Sequence, residues 1–244
     1  MAKEWFEDWF DSKYYYKLYQ NHDSKEACFF VDNLFQYIQP HVPSRILDLA
    51  CGKGRFSNYI AEKGHLVTGI DISESSIEYA NQNKSRNAEF YCYDMRKTFR
   101  INYYDFVFNF FTSFGYFHKL SDNLKTLNAI NLGLKKGGYF VLDFFNSNYI
   151  IDHLVPYENK IIEHIQFDIH KWIQDNKVFK QIDIKDGEQT YRFTEKVQLI
   201  QLQEFRSLLE TANFEIIDTF GDYSLKEFDP IHSKRLIIIS KKIC

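Results

Sequence analysis

The chain has 244 residues, 45% of them hydrophobic and 26% charged, enough apolar material for one sizeable core with room for a small subdomain. Thirty Lys and Arg stand against 33 Asp and Glu, a formal net charge of -3, which argues against a wholly basic nucleic-acid-binding surface. No stretch approaches the roughly 18 to 20 apolar residues that span a bilayer, and MAKEWFEDWF at the start is broken by Glu4, Glu7 and Asp8, unlike the apolar core of a signal peptide.

In chain order, Trp5, Phe6 and Trp9, then Tyr15, Leu18 and Tyr19, recur at helical spacing and predict one or two amphipathic segments. An apolar helical stripe over 28–38 ends at Pro40 and Pro43. A buried strand at 45–50 runs into a glycine-containing turn, followed by a helix over 55–63 that Gly64 closes. Strands at 66–72, 88–93, 104–110 and 138–145 alternate with helices at 74–83 and 120–134. Short strands separated by helices predict an α/β fold, a doubly wound parallel sheet covered on both faces.

After Asn148 the pattern changes. Segments 161–172, 178–185 and 190–199 read as strands, with Asp186-Gly187 a good hairpin turn. A helix over 202–212 and strands at Phe214–Phe220 and 234–240 return to the main sheet. The predicted organisation is therefore a helical lid and cofactor core over 1–148, a small antiparallel β insertion over 149–199, and completion of the core sheet over 200–244. The insertion is expected to serve as a substrate lid or a dimer surface. Cys28, Cys51, Cys92 and Cys244 are too scattered for a CxxC pair or a zinc site, so reduced thiols, a cytoplasmic location and no metal are expected.

The most informative segment is ILDLACGKG over 46–54, with Asp71 at the end of the next strand. Gly52 and Gly54 permit a sharp turn and close approach of a ligand to the backbone, and a carboxylate at Asp71 can accept from both hydroxyls of a ribose. A nucleoside-containing cofactor follows. NAD fits less well, because its G-x-G-x-x-G fingerprint is broken where Ser57 stands, and Asp48 would oppose a pyrophosphate. No GxxxxGK[ST] loop for a triphosphate is present. The better ligand carries a nucleoside at one end and a positive or zwitterionic group at the other.

On these residues the chain resembles class I S-adenosylmethionine-dependent methyltransferases, over residues 45–145 and less specifically in the last helix and strands. The resemblance implies a seven-stranded Rossmann-like sheet, mostly parallel with an antiparallel last strand, and S-adenosyl-L-methionine as cofactor. It implies that Asp48, Ala50, Gly52 and Gly54 lie at the methionyl end, with Arg55 a candidate for the cofactor carboxylate. Asp71 would hold the ribose, Ile72 and Met95 would flank the adenine, Asp94 would receive its amino group, and Phe110 would line the cofactor. Each has an ordinary alternative: a helix cap for Asp71 or Asp94, an internal loop anchor for Asp48, core packing for Ile72, Met95 and Phe110, solvation for Arg55.

The stretch FTSFGYF over 111–117 resembles the active-site loop of small-molecule methyltransferases that carry an antiparallel insertion. Phe111, Ser113 and Tyr116 are candidate acceptor contacts there, and Tyr116 and His118 are the candidate catalytic groups. Tyr15 and Tyr19 share one helical face and are further acceptor candidates; packing against the body suits Trp5 and Trp9 better. Alternation places His164, Gln166, Asp168 and His170 on one strand face, with His170 the candidate for the cleft.

The implied chemistry is in-line attack of an acceptor oxygen, nitrogen or carbon on a sulfonium methyl. Neither an NPPY-like element nor a Pro-Cys nucleophile is present, so a small or medium-sized metabolite is favoured over DNA or RNA, with a peptide side chain left open. An NAD-dependent oxidoreductase and a noncatalytic cofactor-binding protein are the competing readings, and monomer and homodimer are both compatible.

Overall fold

The computed structural model describes residues 5–19, 24–117 and 119–243. Three helices open the chain, α1 (Trp5–Phe10), α2 (Lys13–Tyr19) and α3 (Ser24–Ile38). There follow β1 (Arg45–Leu49), α4 (Arg55–Glu62), β2 (Leu66–Asp71), α5 (Glu74–Gln82), β3 (Ala88–Cys92), β4 (Tyr104–Asn109), α6 (Leu120–Gly133) and β5 (Leu134–Phe145). A short α7 (Ser147–Asp152) leads into β6 (Tyr157–Ile162), β7 (Ile165–Gln174), β8 (Lys177–Asp186) and β9 (Gln189–Gln198). The chain ends in α8 (Leu202–Thr211), β10 (Phe214–Phe220) and β11 (Arg235–Lys242).

Seven strands form one sheet in the order β10-β11-β5-β4-β1-β2-β3. β1 to β5 pair in parallel, and β11 enters antiparallel between β5 and β10. This is the expected doubly wound sheet with its antiparallel last strand. Period-2 alternation divides the strands between two cores. Ile46, Phe106 and Ile237 face α3, α4 and α5, where Phe30, Ile60 and Ala80 are buried. Leu47, Val107 and Leu236 face α6 and α8, where Leu127 and Phe205 are buried. Both faces being covered, β1 reads as an almost uninterrupted apolar run, with Asp48 its one buried charge.

The insertion is a four-stranded antiparallel meander, β6-β7-β8-β9. The single strand expected over 161–172 is divided by a turn at Glu163, whose φ of 57° is left-handed. No glycine or asparagine marks that turn, which is why periodicity runs through it. On its inner face Phe167, Ile169 and Ile182 pack against Trp9, Tyr14 and Leu18 of α1 and α2. Fully burying each such apolar side chain contributes about 1.5–3 kcal/mol, so helical prologue and insertion are fastened to each other as one roof. Cys28, Cys51 and Cys92 are free thiols. Among the described residues no helix is long and apolar enough to cross a membrane.

Candidate active site

The site lies beyond the carboxyl ends of β1, β2 and β4, where an open parallel sheet brings its loops together. After β1 the chain turns through Ala50, Gly52 and Gly54, at φ of 57°, 54° and 77°, and enters α4. The Gly52 N–H donates to Asp71 Oδ2 at 2.8 Å, and the Ser73 N–H donates to Asp71 Oδ1 at 2.9 Å. The two glycines serve different ends. A methyl group on Gly52 would meet nothing within 4 Å, whereas one on Gly54 would lie 2.5 Å from the Phe90 ring. Gly52 thus faces open space, and Gly54 lets α4 close on β3.

Two connected chambers occupy the site. The inner one, about 120 Å³, is walled by Asp71, Ile72, Asp94 and Met95 and roofed by Phe10, Tyr16 and Phe117. The outer one, about 1070 Å³, includes Asp48, Arg55, Phe110, Tyr19, Glu195 and Arg235. Tyr15, Tyr16, Ala50, Gly52, Phe111, Ser113 and Tyr116 line both, so the two chambers adjoin along them. Asp48, Arg55 and Phe110 therefore lie on the outer side only, and Tyr19 joins them there. Phe110 is mainly core, stacked on Phe108 at 5.1 Å between ring centroids. His170 lines neither chamber. It sits on the exposed face of β7, beside Tyr157, because its neighbours Ile169 and Phe167 turn the other face toward α1 and α2. His118 lies outside the described residues.

Three carboxylates are set apart by their surroundings. Burial raises Asp71, against the hydrogen bonds from the Ser73, Gly52 and Ile72 N–H groups. Burial also pushes Asp48 up to about 7; Ser57, which donates to it at 2.6 Å, pulls the other way and the Asp71 charge adds to the rise. Asp94 goes below the usual range, since burial is outweighed by the Arg96 guanidinium, held at 2.8–3.0 Å. Asp94 is thus a fixed anion in the inner wall, and Asp48 a carboxyl that takes up a proton near neutrality.

Several site residues carry no local sequence signal. Asp11, between α1 and α2, accepts from Ser73 Oγ at 2.8 Å and from the Ser75 N–H at 3.1 Å, latching the roof to the start of α5. Tyr16 bonds Ser76 beside it, and the Lys53 ammonium lies 3.7 Å from the Tyr16 ring centre. Asp143, fully buried on β5, receives the Phe111 N–H at 2.8 Å, Tyr223 OH at 3.0 Å and Arg235 Nε at 2.8 Å. Arg235 also donates to Thr112 Oγ1 at 3.0 Å. This cluster holds Phe111 and Thr112 left-handed, at φ of 57° and 62°, an uncommon state that costs about 1–3 kcal/mol per residue. Partners more than 30 residues away make these contacts, so only the fold reveals them.

The sheet order, the turn after β1 and the carboxylate ending β2 define an α/β nucleotide-cofactor-binding enzyme of the methyltransferase type. S-adenosylmethionine fits the residues present: open space at Gly52, an Asp71 carboxylate oriented by backbone N–H groups, and apolar lining from Ile72 and Met95. The methyltransferase domain family matches residues 41–213, and the chain belongs to that family. It is 28% identical to the putative methyltransferase YqeM of Bacillus subtilis over 229 residues, 86% of this chain and 90% of that one. In fold it is similar to an S-adenosylmethionine-dependent methyltransferase from Clostridium acetobutylicum, with TM-score 0.78, 20% identity and coverage of 94% and 96%. It is also similar to S-adenosylmethionine-bound CalS10, an amino pentose methyltransferase from Micromonospora echinaspora, with TM-score 0.70, 14% identity and coverage of 95% and 97%.

Proposed function

We propose that this methyltransferase transfers the methyl group of S-adenosylmethionine to a small-molecule acceptor held in the outer chamber. The observation that carries the reading is the pair of adjoining chambers that share a wall of Tyr15, Tyr16, Phe111 and Tyr116. When bound, S-adenosylmethionine supplies an electrophilic methyl on a sulfonium. Asp71 would take the ribose hydroxyls, Asp94 the adenine amino group, and Ile72 and Met95 would line the adenine. Ala50 and Gly52 bring backbone close to the methionyl portion, with Asp48 and Arg55 on its outer side.

Tyr15, Phe111 and Tyr116 line both chambers and would exclude water and align the acceptor, so that most of the rate gain would come from proximity and alignment. Burial, then the charge of Glu195, keeps the Tyr116 hydroxyl protonated at neutral pH. Tyr116 therefore positions the acceptor as a neutral phenol instead of removing its proton. The roof of α1, α2 and the insertion restricts the acceptor to metabolite size. Incubation with methyl-labelled S-adenosylmethionine and fractionated metabolite pools tests this. The expected result is label in a small product with matching S-adenosylhomocysteine release; label confined to RNA or protein overturns the reading.

A further inference from the structure

We propose that Glu195, on the insertion, is the specificity-determining residue of the outer chamber, and that its Oε2 atom binds an amino group on the methyl acceptor. The proposal rests on the reading of the outer chamber as the acceptor site. Glu195 stands near the end of β9, is 8% exposed, and lines that chamber. Its two oxygens are used unequally. Oε1 accepts from Trp9 Nε1 and from Tyr19 OH, each at 2.7 Å. Oε2 forms an ion pair with the Lys180 ammonium at 3.6 Å, longer than a hydrogen bond. Lys180 donates instead to Tyr19 OH and lies 4.4 Å from the centre of that ring. Among the described residues nothing donates to Oε2.

A carboxylate offers about four lone-pair positions, and here those of one oxygen are filled while those of the other are open. Glu195 lines the chamber and its Oε2 makes only an ion pair with Lys180, so a donor brought by a ligand would add a charge-assisted hydrogen bond there. The surroundings select the ligand group. Tyr15, Tyr19 and Tyr116 line the same chamber, and the Glu195 charge bears on all three hydroxyls. A carboxylate backed by aromatic rings favours a cation with N–H donors, through charge-assisted hydrogen bonds and the negative ring faces. A hydroxyl gains only a neutral hydrogen bond there, and an anion is repelled. Oε1 is already saturated by the roof, so Glu195 is held in one orientation and loses little freedom when the amine arrives.

The test is calorimetry on the full chain saturated with S-adenosylhomocysteine, using three matched probes: benzylamine, benzyl alcohol and benzoate. Benzylamine should bind about tenfold or more tightly than benzyl alcohol, with benzoate weakest. Glu195→Gln should abolish that preference while leaving S-adenosylhomocysteine affinity within about twofold, since Gln keeps an acceptor for Trp9 and Tyr19. Lys180→Met removes the competing cation and should widen the preference for benzylamine, a change of sign that loss of packing does not produce. Equal binding of the three probes, no binding of benzylamine, or an undiminished preference in Glu195→Gln overturns the proposal. If Glu195→Gln does not fold, a preference that shrinks in Lys180→Met overturns it as well. Failure of the wild-type chain to bind S-adenosylhomocysteine, seen in the first titration, strikes the cofactor reading and removes the basis of this one.

Discussion

Trp9 Nε1 donates to Glu195 Oε1 at 2.7 Å although 186 residues separate the two. That bond joins the first helix to the last strand of the insertion, at the wall of the outer chamber that Glu195 lines. The Trp9 ring also lies 4.7 Å from that of Phe193 on the same strand. Trp9→Phe keeps the ring contact and removes the donor. It should cost about 1–3 kcal/mol of stability and loosen the roof. S-adenosylhomocysteine dissociation, followed by stopped-flow fluorescence, should speed up severalfold; an unchanged rate would show that the roof does not retain the ligand.

The two glycines of the turn after β1 should separate binding from folding. Gly52→Ala places a methyl in open chamber space and strains only its own left-handed backbone, at about 1–2 kcal/mol. Gly54→Ala adds a collision with Phe90 to the same strain. Thermal melts and calorimetry together should show Gly52→Ala losing mainly S-adenosylhomocysteine affinity and Gly54→Ala losing mainly Tm. The reverse order would contradict the geometry.

Asp48 sets a pH dependence. Its carboxyl is raised from the ordinary 3.8 to about 7 in the folded protein. Between those values the folded state binds more protons than the unfolded one, so Asp48 makes stability fall as pH rises from about 4 to about 7, and adds no slope above that. Asp48→Asn should remove this slope. Urea unfolding at pH 5, 6, 7 and 8 should show wild type losing ground to the variant up to about pH 7 and running parallel beyond.

The Asp143 and Arg235 pair supports the corner at Phe111 and Thr112. Asp143→Ala leaves the Arg235 guanidinium without its carboxylate and the Phe111 N–H without its acceptor, and should cost about 3–5 kcal/mol. Part of that loss comes from a strained corner no longer held in place. Adding Thr112→Gly, which takes a φ of 62° without steric cost, should recover some of it in urea unfolding. No recovery would mean that the corner stores no strain.

The main sheet was legible because its signals are local: apolar runs such as 46–49 and 106–108, each followed by turn residues, and a glycine turn placed before Asp71. Asp71, Ile72, Asp94 and Met95, which the family resemblance implies lie around an adenosyl group, all line the inner chamber. Gly54 lies outside both chambers, and its contact with Phe90 could not be read locally because Phe90 belongs to another strand. His170 was misread because alternation specifies that a strand has two faces without saying which one meets the cleft. Glu195, Asp143 and Arg235 escaped notice altogether, since a lone charge in a strand acquires meaning only from partners brought to it by the fold.

The central claim is that Asp71 anchors an adenosyl cofactor in the inner chamber. Calorimetric titration of S-adenosylhomocysteine into wild type and Asp71→Ala tests it most directly, with NADH as the comparison ligand. Wild type should bind one equivalent saturably and prefer it to NADH. Loss of hydrogen bonds to a charged acceptor, about 1.5–3 kcal/mol, should weaken Asp71→Ala by about 10- to 100-fold. Equal affinity in the two proteins, preference for NADH, or no saturable binding by folded wild type would contradict the account.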